Sequence, residues 1–505
     1  MAQDGFCGST MNTLILIGSK INQESIQHSL GKPEYSYFFL MKEFIPALQR
    51  LGTVVEVKNL DEVDALYDLH SAQGRKVIFL SFSPPQQTPL GLRCPTVPVF
   101  AWEFDSIPDE PWGGDPRNDW RYVFERIQGC IATSSEAADL VRAATQGRLP
   151  VLAAPAPVWE RFGENECHQG LLPRQSPRHI AFSGVIIDSP ILGLSADGLV
   201  RKIEPAAAPE PVVEAVAQPE MEQVSEPAVV SRWAEYRRIS QVLFSDWWLE
   251  FTGRPRKVEE PVAIVAPPPV AVAATNLQVE GVVYTTVLNP ADGRKNWIDL
   301  ITAFCWAFRD EPGATLVVKM THHNLEHYRV VLMTLLSRLA PFSCRVVVLH
   351  GFLEDDQYRQ LVDASDYYVN ASSCEGLCLP LMEFLCAGKP ALAPRHTAMA
   401  DYLDSSLAFL VRGALEPTCW PHDPTGMLST HRYRLDWQSL MEAFRASYAL
   451  ARDDARGYQK LSAAALRRMK AFCAFMPVTD ALGAFFEQVV DDSRGVETRV
   501  RSVAR

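Results

Sequence analysis

The sequence has no long uninterrupted apolar run, although 47% of its 505 residues are hydrophobic. A membrane-spanning helix needs about eighteen or more consecutive apolar residues, so we expect no transmembrane helix. The first residues, MAQDGFCGST, include an acid and lack the basic start of a signal peptide. We therefore expect residues 13–18 to form a strand of the folded protein.

The sequence also lacks paired metal-type spacing among its 11 cysteines. Cys374 and Cys378 stand close together, but no second Cys or His pair accompanies them, which argues against a zinc site. No Asp-x-Asp pair follows a predicted strand. We expect no metal and no cofactor, and unpaired cysteines fit the reducing cytoplasm.

Positive charge is in deficit, with 48 Lys and Arg against 60 Asp and Glu and a net charge of −12. This balance argues against nucleic acid as a general partner and against an overall basic surface for membrane binding. The net charge does not exclude a local basic patch.

Alternating apolar and helical segments indicate the fold class. Apolar runs at 13–18, 53–57, 77–82 and 97–101 predict strands, and 38–49 has helical spacing. A second series of predicted strands and helices begins at 281. The pattern predicts a doubly wound α/β protein with parallel sheets.

The stretch 366–390, DYYVNASSCEGLCLPLMEFLCAGKP, combines a short buried strand, a polar turn and a helix that starts near Pro380. Glu375 lies in the turn and Glu383 in the helix, so both carboxylates can face one cleft. A helix N-terminus suits a diphosphate, and carboxylates accept hydrogen bonds from sugar hydroxyls. The stretch predicts a nucleotide-sugar site; the alternative is that Glu383 caps its helix and Glu375 is solvated.

The segment SSCEGLCLPLMEFLCAGKP resembles the glutamate-x7-glutamate motif of retaining glycosyltransferases of family 4. The resemblance implies the GT-B fold, in which two Rossmann-like domains face a cleft. It assigns Glu375 to the donor sugar and to catalysis, and Glu383 to the ribose. The sequence departs from the motif where the family has an aromatic residue and a second glycine. Donor contacts are also expected from Gly376, Leu377, Cys378 and Leu379.

The same resemblance implies cationic ligands for the diphosphate. Lys295 matches the lysine of the family and is predicted to be catalytic, whereas Asn289 stands where the family has an arginine. Arg294 is expected to compensate for that arginine, the alternative being an exposed side chain. Lys319, at the end of a predicted strand, is a further donor candidate or a solvated lysine.

The acceptor side is predicted in the first domain. Gly31 lies in a segment that resembles the glycine-bearing loop of GT-B enzymes, or is an ordinary strand-to-helix turn. Glu103 and Asp105 follow a strand whose carboxyl end should face the cleft. The family often has a histidine there, so these acids either take over acceptor contact and proton transfer or cap the loop.

Four regions are predicted along the chain. Residues 1–184 form an acceptor domain and 276–450 a nucleotide-sugar domain, both Rossmann-like. Between them, 185–275 is a Pro- and Ala-rich low-complexity insertion with an amphipathic helix at 232–251. That helix docks on its own chain, on a partner protein or on a membrane surface. Residues 451–505 form helices that cross back to the first domain, and a tail.

These features predict a retaining glycosyltransferase. It would transfer a sugar from UDP- or GDP-sugar to a hydroxyl of a glycan, lipid-linked or protein acceptor, in bacterial polysaccharide or glycoconjugate synthesis. The protein is expected in the cytoplasm or at the inner membrane face. The alternatives are a sugar phosphorylase and a non-catalytic protein that binds a nucleotide sugar or a partner.

Overall fold

The computed structural model describes residues 13–20, 35–163, 173, 176–192, 275–322 and 324–503, with side chains up to residue 491. Gly31 and the predicted helix at 232–251 lie outside these residues. The described residues of both halves belong to one compact unit.

The first half is a parallel sheet flanked by helices. Its strands are β1 (Thr13–Ser19), β2 (Thr53–Glu56), β3 (Lys76–Phe82), β4 (Thr96–Phe100), β5 (Cys130–Ala132) and β6 (Val151–Ala153). Its helices are α1 (Tyr35–Leu51), α2 (Leu60–Ser71), α3 (Trp120–Phe124), α4 (Ser135–Ala144) and α5 (Trp159–Gly163). The six strands lie in the order β2-β1-β3-β4-β5-β6. Because helices cover both faces, the strands are apolar along most of their length.

The second half contains a seven-stranded main sheet and two two-stranded sheets. Its strands are β7 (Arg178–Phe182), β8 (Val185–Asp188), β9 (Thr275–Val279), β10 (Val282–Leu288), β11 (Ala314–Met320), β12 (Arg345–His350), β13 (Tyr367–Val369), β14 (Ala391–Pro394), β15 (Ala408–Val411), β16 (Gly413–Thr418) and β17 (Thr430–Leu435). Its helices are α6 (Trp297–Ala307), α7 (Leu325–Leu339), α8 (Asp355–Ala364), α9 (Leu379–Cys386), α10 (Trp437–Asp453), α11 (Ala455–Cys473) and α12 (Phe475–Val503). The order of the main sheet is β15-β14-β13-β10-β11-β12-β8, while β7 pairs with β9 and β16 with β17. The two main sheets confirm the predicted α/β class with two Rossmann-like halves.

The strand order of the second sheet indicates at which edge a ligand is expected to bind. Successive strands run outward from β10 in both directions, through β11 and β12 on one side and β13 to β15 on the other. The loops after β10 and β13 therefore diverge at a topological switch point, where open α/β sheets bind ligands. These loops carry Lys295 and Glu375.

The start of the insertion differs from the predicted residue 185. Val185–Asp188 forms the antiparallel edge strand β8, which pairs with β12. β7, just before it, pairs with β9 on the far side of the insertion. The short apolar VIID segment covers the otherwise open edge of β12, and Asp188 pairs with Arg345 at 2.7 Å. Both strands thus belong to the second half, although the prediction placed β7 in the first.

The C-terminal helices pack on both halves. Phe485 and Val489 of α12 belong to the same buried cluster as Leu48 of α1, and a Cβ on Gly129 would lie 2.8 Å from Val489. The stretch Ala455–Asp491 is long and apolar enough by composition to cross a membrane. That is weak evidence for a membrane span, since its apolar side chains pack inside the protein.

A buried ion pair holds Asp366, the residue directly before β13, in place. We expect its loss to destabilise the protein. Arg178 Nη1 donates to Asp366 Oδ1 at 2.8 Å, and the backbone N–H of Val283 donates to Asp366 Oδ2 at 2.8 Å. Asp366→Ala would leave the Arg178 guanidinium buried without its carboxylate, at a cost of about 3–5 kcal/mol. Urea unfolding followed by circular dichroism measures this change.

Asp363→Ala is the matched control, because Asp363 lies on the same segment but is exposed. We expect it to change the free energy of unfolding by about 0.5 kcal/mol or less. Equal effects of the two substitutions would contradict the importance of the Arg178 pair.

Candidate functional site

Two loops at the switch point of the second sheet meet through backbone and side-chain hydrogen bonds. The backbone N–H of Ser373 donates to the carbonyl of Arg294 at 2.8 Å, and Asn296 Nδ2 donates to the carbonyl of Ala371 at 3.0 Å. Asp292 accepts from the Arg294 N–H and caps a short 3₁₀ turn, Gly293–Lys295. The loop after β10 is thus fastened to the turn after β13.

The Glu375 carboxylate lies at the centre of this contact. Its Oε1 accepts from Lys295 Nζ at 2.6 Å, from Ser372 Oγ at 2.6 Å and from Asn370 Nδ2 at 3.2 Å. Burial alone would raise the pKa of Glu375, but Lys295 and Arg294 lower it to about 2. Glu375 is therefore ionised at neutral pH.

Arg294 connects this cluster to the first half. Its Nη1 lies 3.3 Å from Glu103 Oε1 and 3.6 Å from Glu375 Oε2, and its Nε donates to Asp292 at 2.8 Å. Burial raises the pKa of Glu103, and Arg294 opposes that shift. The structure thus brings Glu375, Lys295, Arg294 and Glu103 together in one cluster.

Gly376 fits against the first half because it has no side chain. A Cβ at this position would lie 2.8 Å from the backbone nitrogen of Trp102 and 2.9 Å from Ala101 Cβ. Its carbonyl accepts a hydrogen bond from Thr133 Oγ1 at 2.7 Å. The glutamate turn is therefore packed directly on the carboxyl end of β4, where the two halves meet.

Cys378 has a backbone conformation that glycine usually adopts. This residue has φ 60° and ψ 60° at the N-cap of α9, a left-handed conformation that costs about 1 kcal/mol for a residue with a Cβ. Asn370 Nδ2 contacts its Sγ at 3.1 Å. Leu377 lies just before it, with its carbonyl bonded to Tyr402 Oη at 2.9 Å, and Leu379 begins α9.

Glu383 lies in a second cluster, which we call the α9 cluster and which comprises Lys42, Glu43, Arg161, Asp355, Tyr358 and Glu383. Tyr358 Oη donates to Glu383 Oε2, and Arg161 Nη1 lies 4.0 Å from Glu383 Oε1 while pairing with Glu43. Burial, followed by repulsion from Glu43, raises the pKa of Glu383 to about 8. The two glutamates, expected to face one cleft, thus lie in separate clusters with different partners. No ligand tests the contact of Glu383 with a ribose, which stays a prediction.

The other predicted donor residues line the same sheet edge. Asn289 Oδ1 accepts from the N–H of Ala291 at 3.0 Å and shapes the loop after β10. Lys319 is buried near the end of β11 and donates to Thr321 Oγ1. Burial lowers the pKa of Lys319 to about 7.

Asp105, predicted on the acceptor side, contacts the second half. Its carboxylate accepts from Thr430 Oγ1 at 3.0 Å and from the backbone N–H of His431 at 3.1 Å, and it lies 2.9 Å from His431 Nδ1. Burial would raise the pKa of Asp105, but these hydrogen bonds lower it. Asp105 thus fastens the β16–β17 hairpin across the interface.

A cavity of about 550 Å³ lies between the halves beside the glutamate turn. The sequence analysis did not predict it, since its wall combines the loop after β4, α4, the loop after β14 and the β16–β17 hairpin. We call it the interface cavity; its lining residues are Asp105, Glu136, Asp139, Leu140, Arg395, His396, Thr397, Ala400, Asp401 and Tyr433. The turn-forming sequence Pro421–Gly426 between two alternating segments was the signal that could have revealed the hairpin.

The hairpin is anchored on the first half by aromatic residues. Trp420 packs against Trp112, with ring centroids 5.5 Å apart. His422 is stacked on Trp120 at 6.5 Å and 7° and also lies 6.0 Å from Trp102. These contacts hold the loop between β16 and β17 against the first half.

The site combines two cations, Lys295 and Arg294, with two carboxylates, Glu375 and Glu103. Lys295 and Arg294 can bind a phosphate group in place of a carboxylate. Among the described residues, no group of three or more His, Cys, Asp or Glu is placed to bind a metal ion. That the protein works without a metal ion stays a prediction.

No protein-family model and no curated protein sequence matches this chain. The solved structures similar to it include Anabaena HepE in complex with UDP and glucose, with 10% identity over 94% of this chain and 99% of that chain and a TM-score of 0.48. Sucrose-phosphate synthase from Thermosynechococcus elongatus has 12% identity over 95% of this chain and 100% of that chain, with a TM-score of 0.44. A glycosyltransferase from Rickettsia africae has 9% identity, 95% and 99% coverage and a TM-score of 0.46.

The raised pKa of Glu383 predicts a pH dependence of stability. Its pKa is about 8 in the folded protein against an ordinary 4.5, so the folded state binds more protons than the unfolded state between these values. Stability should therefore fall as pH rises from about 5 to 8. Glu383→Gln should remove this loss, which is on the order of 3 kcal/mol, as measured by urea unfolding at each pH.

Glu326→Gln is the control, since the Glu326 side chain is 74% exposed. Its pH profile should follow that of the unmodified protein. Parallel profiles for all three proteins would contradict the protonation of Glu383 at neutral pH.

Proposed function

We propose that this protein is a retaining glycosyltransferase that transfers a sugar from a nucleoside-diphosphate sugar to a hydroxyl acceptor. The observation that carries the proposal is the contact of Lys295 Nζ with Glu375 Oε1 at 2.6 Å, at the switch point of the second sheet. Arg294 and Glu103 extend this contact into the first half. A charge-dense site of this kind suits a diphosphate leaving group and a sugar with many hydroxyls.

In the proposed reaction, the bond from the anomeric carbon to the diphosphate oxygen breaks and a bond to the acceptor oxygen forms on the same face. Lys295, Arg294 and the N-terminus of α9 stabilise the charge on the departing diphosphate. The acceptor proton passes to the leaving group or to Glu103, whose raised pKa suits it to receive a proton. Glu375 stays ionised and stabilises positive charge on the sugar ring.

Donor binding requires an exchange of partners. Lys295 and Arg294 now neutralise Glu375 and Glu103, so a diphosphate must replace at least one carboxylate as the partner of each cation. The freed Glu375 carboxylate would then accept hydrogen bonds from the donor sugar. Glu383, in the following helix α9, would contact the ribose.

We also propose the class of donor, the class of acceptor and the location of the reaction. The donor is UDP- or GDP-sugar, and the acceptor is a glycan, lipid-linked or protein hydroxyl in bacterial polysaccharide or glycoconjugate synthesis. The enzyme would work in the cytoplasm or at the inner membrane face.

A donor screen tests the proposal as a whole. We expect at least one of UDP, GDP, ADP and their sugars to raise the melting temperature in the presence of EDTA, because a ligand that binds only the folded state stabilises it. At a ligand concentration about 100 times Kd the gain is about 2.7 kcal/mol. No shift with any donor or nucleotide would count heavily against the proposal, and binding without turnover on a broad acceptor panel would favour a non-catalytic protein.

Lys295→Ala tests the role of the central cation. Loss of a charge-assisted hydrogen bond worth about 1.5–3 kcal/mol should weaken binding of the nucleoside diphosphate found in the screen by about 10- to 100-fold. Titration calorimetry measures the affinity, and circular dichroism verifies that the fold is intact.

Lys58→Ala serves as the control, because Lys58 is exposed on the first half. Its diphosphate affinity should equal that of the unmodified protein. An unchanged affinity in the Lys295 variant would remove Lys295 from the site.

A further inference from the structure

The interface cavity has the size of a small-molecule site and lies next to the proposed donor sugar. Its volume of about 550 Å³ falls within the range of ordinary ligand pockets. Thr397, in its wall, accepts the backbone N–H of Glu375 at 3.0 Å through its Oγ1. The cavity therefore adjoins the backbone of Glu375, whose side chain we assign to the donor sugar.

The charge of the cavity is strongly negative. Its wall holds the carboxylates of Asp105, Glu136, Asp139 and Asp401 against a single guanidinium, Arg395. Asp139 is paired with Arg142 at 2.7 Å, and Asp401 accepts the Ser135 N–H at 2.8 Å.

Glu136 carries the least compensated of these charges. Burial raises the pKa of Glu136, and Asp105 and Asp401 raise it further. These two neighbours are like charges that repel the carboxylate, and an added cation would relieve the repulsion.

Two stacked rings form another part of the wall. The rings of His396 and Tyr433 lie 4.4 Å apart at an angle of 10°. Both are held in place, since His396 Nε2 contacts the carbonyl of Ser372 at 3.1 Å and the Tyr433 N–H donates to the carbonyl of Ser373 at 2.8 Å. Because His396 is 4% exposed, the aromatic surface that a ligand can reach is that of Tyr433, a large apolar surface suited to the C–H face of a sugar ring.

We propose that the interface cavity is the acceptor subsite and that it selects a sugar acceptor with a free ammonium group. The carboxylates bind the ammonium and the hydroxyls, and Tyr433, held in place by stacking on His396, supports the ring. Phosphate- or carboxylate-bearing acceptors are disfavoured by the same charges. This inference rests on the proposed glycosyltransferase function, since it takes its acceptor role from the adjacent donor site.

The test compares three sugars of similar shape on the full chain with UDP present. The probes are methyl glucosaminide, its N-acetyl derivative and methyl glucoside 6-phosphate, titrated by calorimetry at low salt. We expect the free amine to bind about fivefold or more tightly than the N-acetyl derivative, and the phosphate to bind most weakly. The preference should shrink at about 0.5 M salt through screening.

Glu136→Gln removes one charge with little change of shape. It should reduce the preference for the amine about threefold or more, and the UDP affinity should not change. Glu125→Gln is the matched control, since the Glu125 side chain is 63% exposed and outside the cavity, and it should retain the full preference.

The outcomes separate the inference from the function on which it rests. UDP binding with equal affinity for the amine and N-acetyl sugars overturns the acceptor inference and leaves the glycosyltransferase proposal standing. A preference that survives Glu136→Gln overturns it as well. An amine preference without binding of any nucleotide supports the cavity as a binding site and overturns its acceptor role.

Discussion

A buried carboxylate must be paired, and that constraint organises the centre of this protein. Glu375 is 3% exposed, and an isolated charge at that depth would cost several kcal/mol. Lys295 and Arg294 provide the compensation, and Arg294 in turn compensates Glu103 on the other half. The same pairing that makes the interface stable therefore concentrates, at one sheet edge, the groups that can exchange a carboxylate for a diphosphate.

The local elements around Glu375 could be predicted because each has a local cause. The short buried strand predicted in the stretch 366–390 is β13, Tyr367–Val369. Pro380 and Gly388 marked the ends of α9; Pro380 lies in its first turn, and Gly388 has φ 71° just after it. Strand order, by contrast, could only be inferred from the alternation of strands and helices and from the resemblance.

Contacts between distant segments could not be derived from spacing. Lys295 and Glu375 are separated by 80 positions, and only the resemblance to a known motif brought them together in the prediction. No motif pointed to the interface cavity, because its lining residues come from four segments that are distant in the sequence. The start of the insertion was misplaced for a similar reason, since β8 becomes a strand only by pairing with β12.

The two glutamates of the motif illustrate how environment decides chemistry for identical side chains. Glu375 faces two cations and has a pKa of about 2, whereas Glu383 is buried beside Glu43 and has a pKa of about 8. Pairs of titratable groups whose pKa values are pushed apart are typical of sites with divided roles. At neutral pH Glu375 can stabilise positive charge but cannot donate a hydrogen bond, and protonated Glu383 can donate one to a hydroxyl. One turn and one helix therefore hold two glutamates in opposite protonation states at neutral pH, an anion at Glu375 and a neutral acid at Glu383.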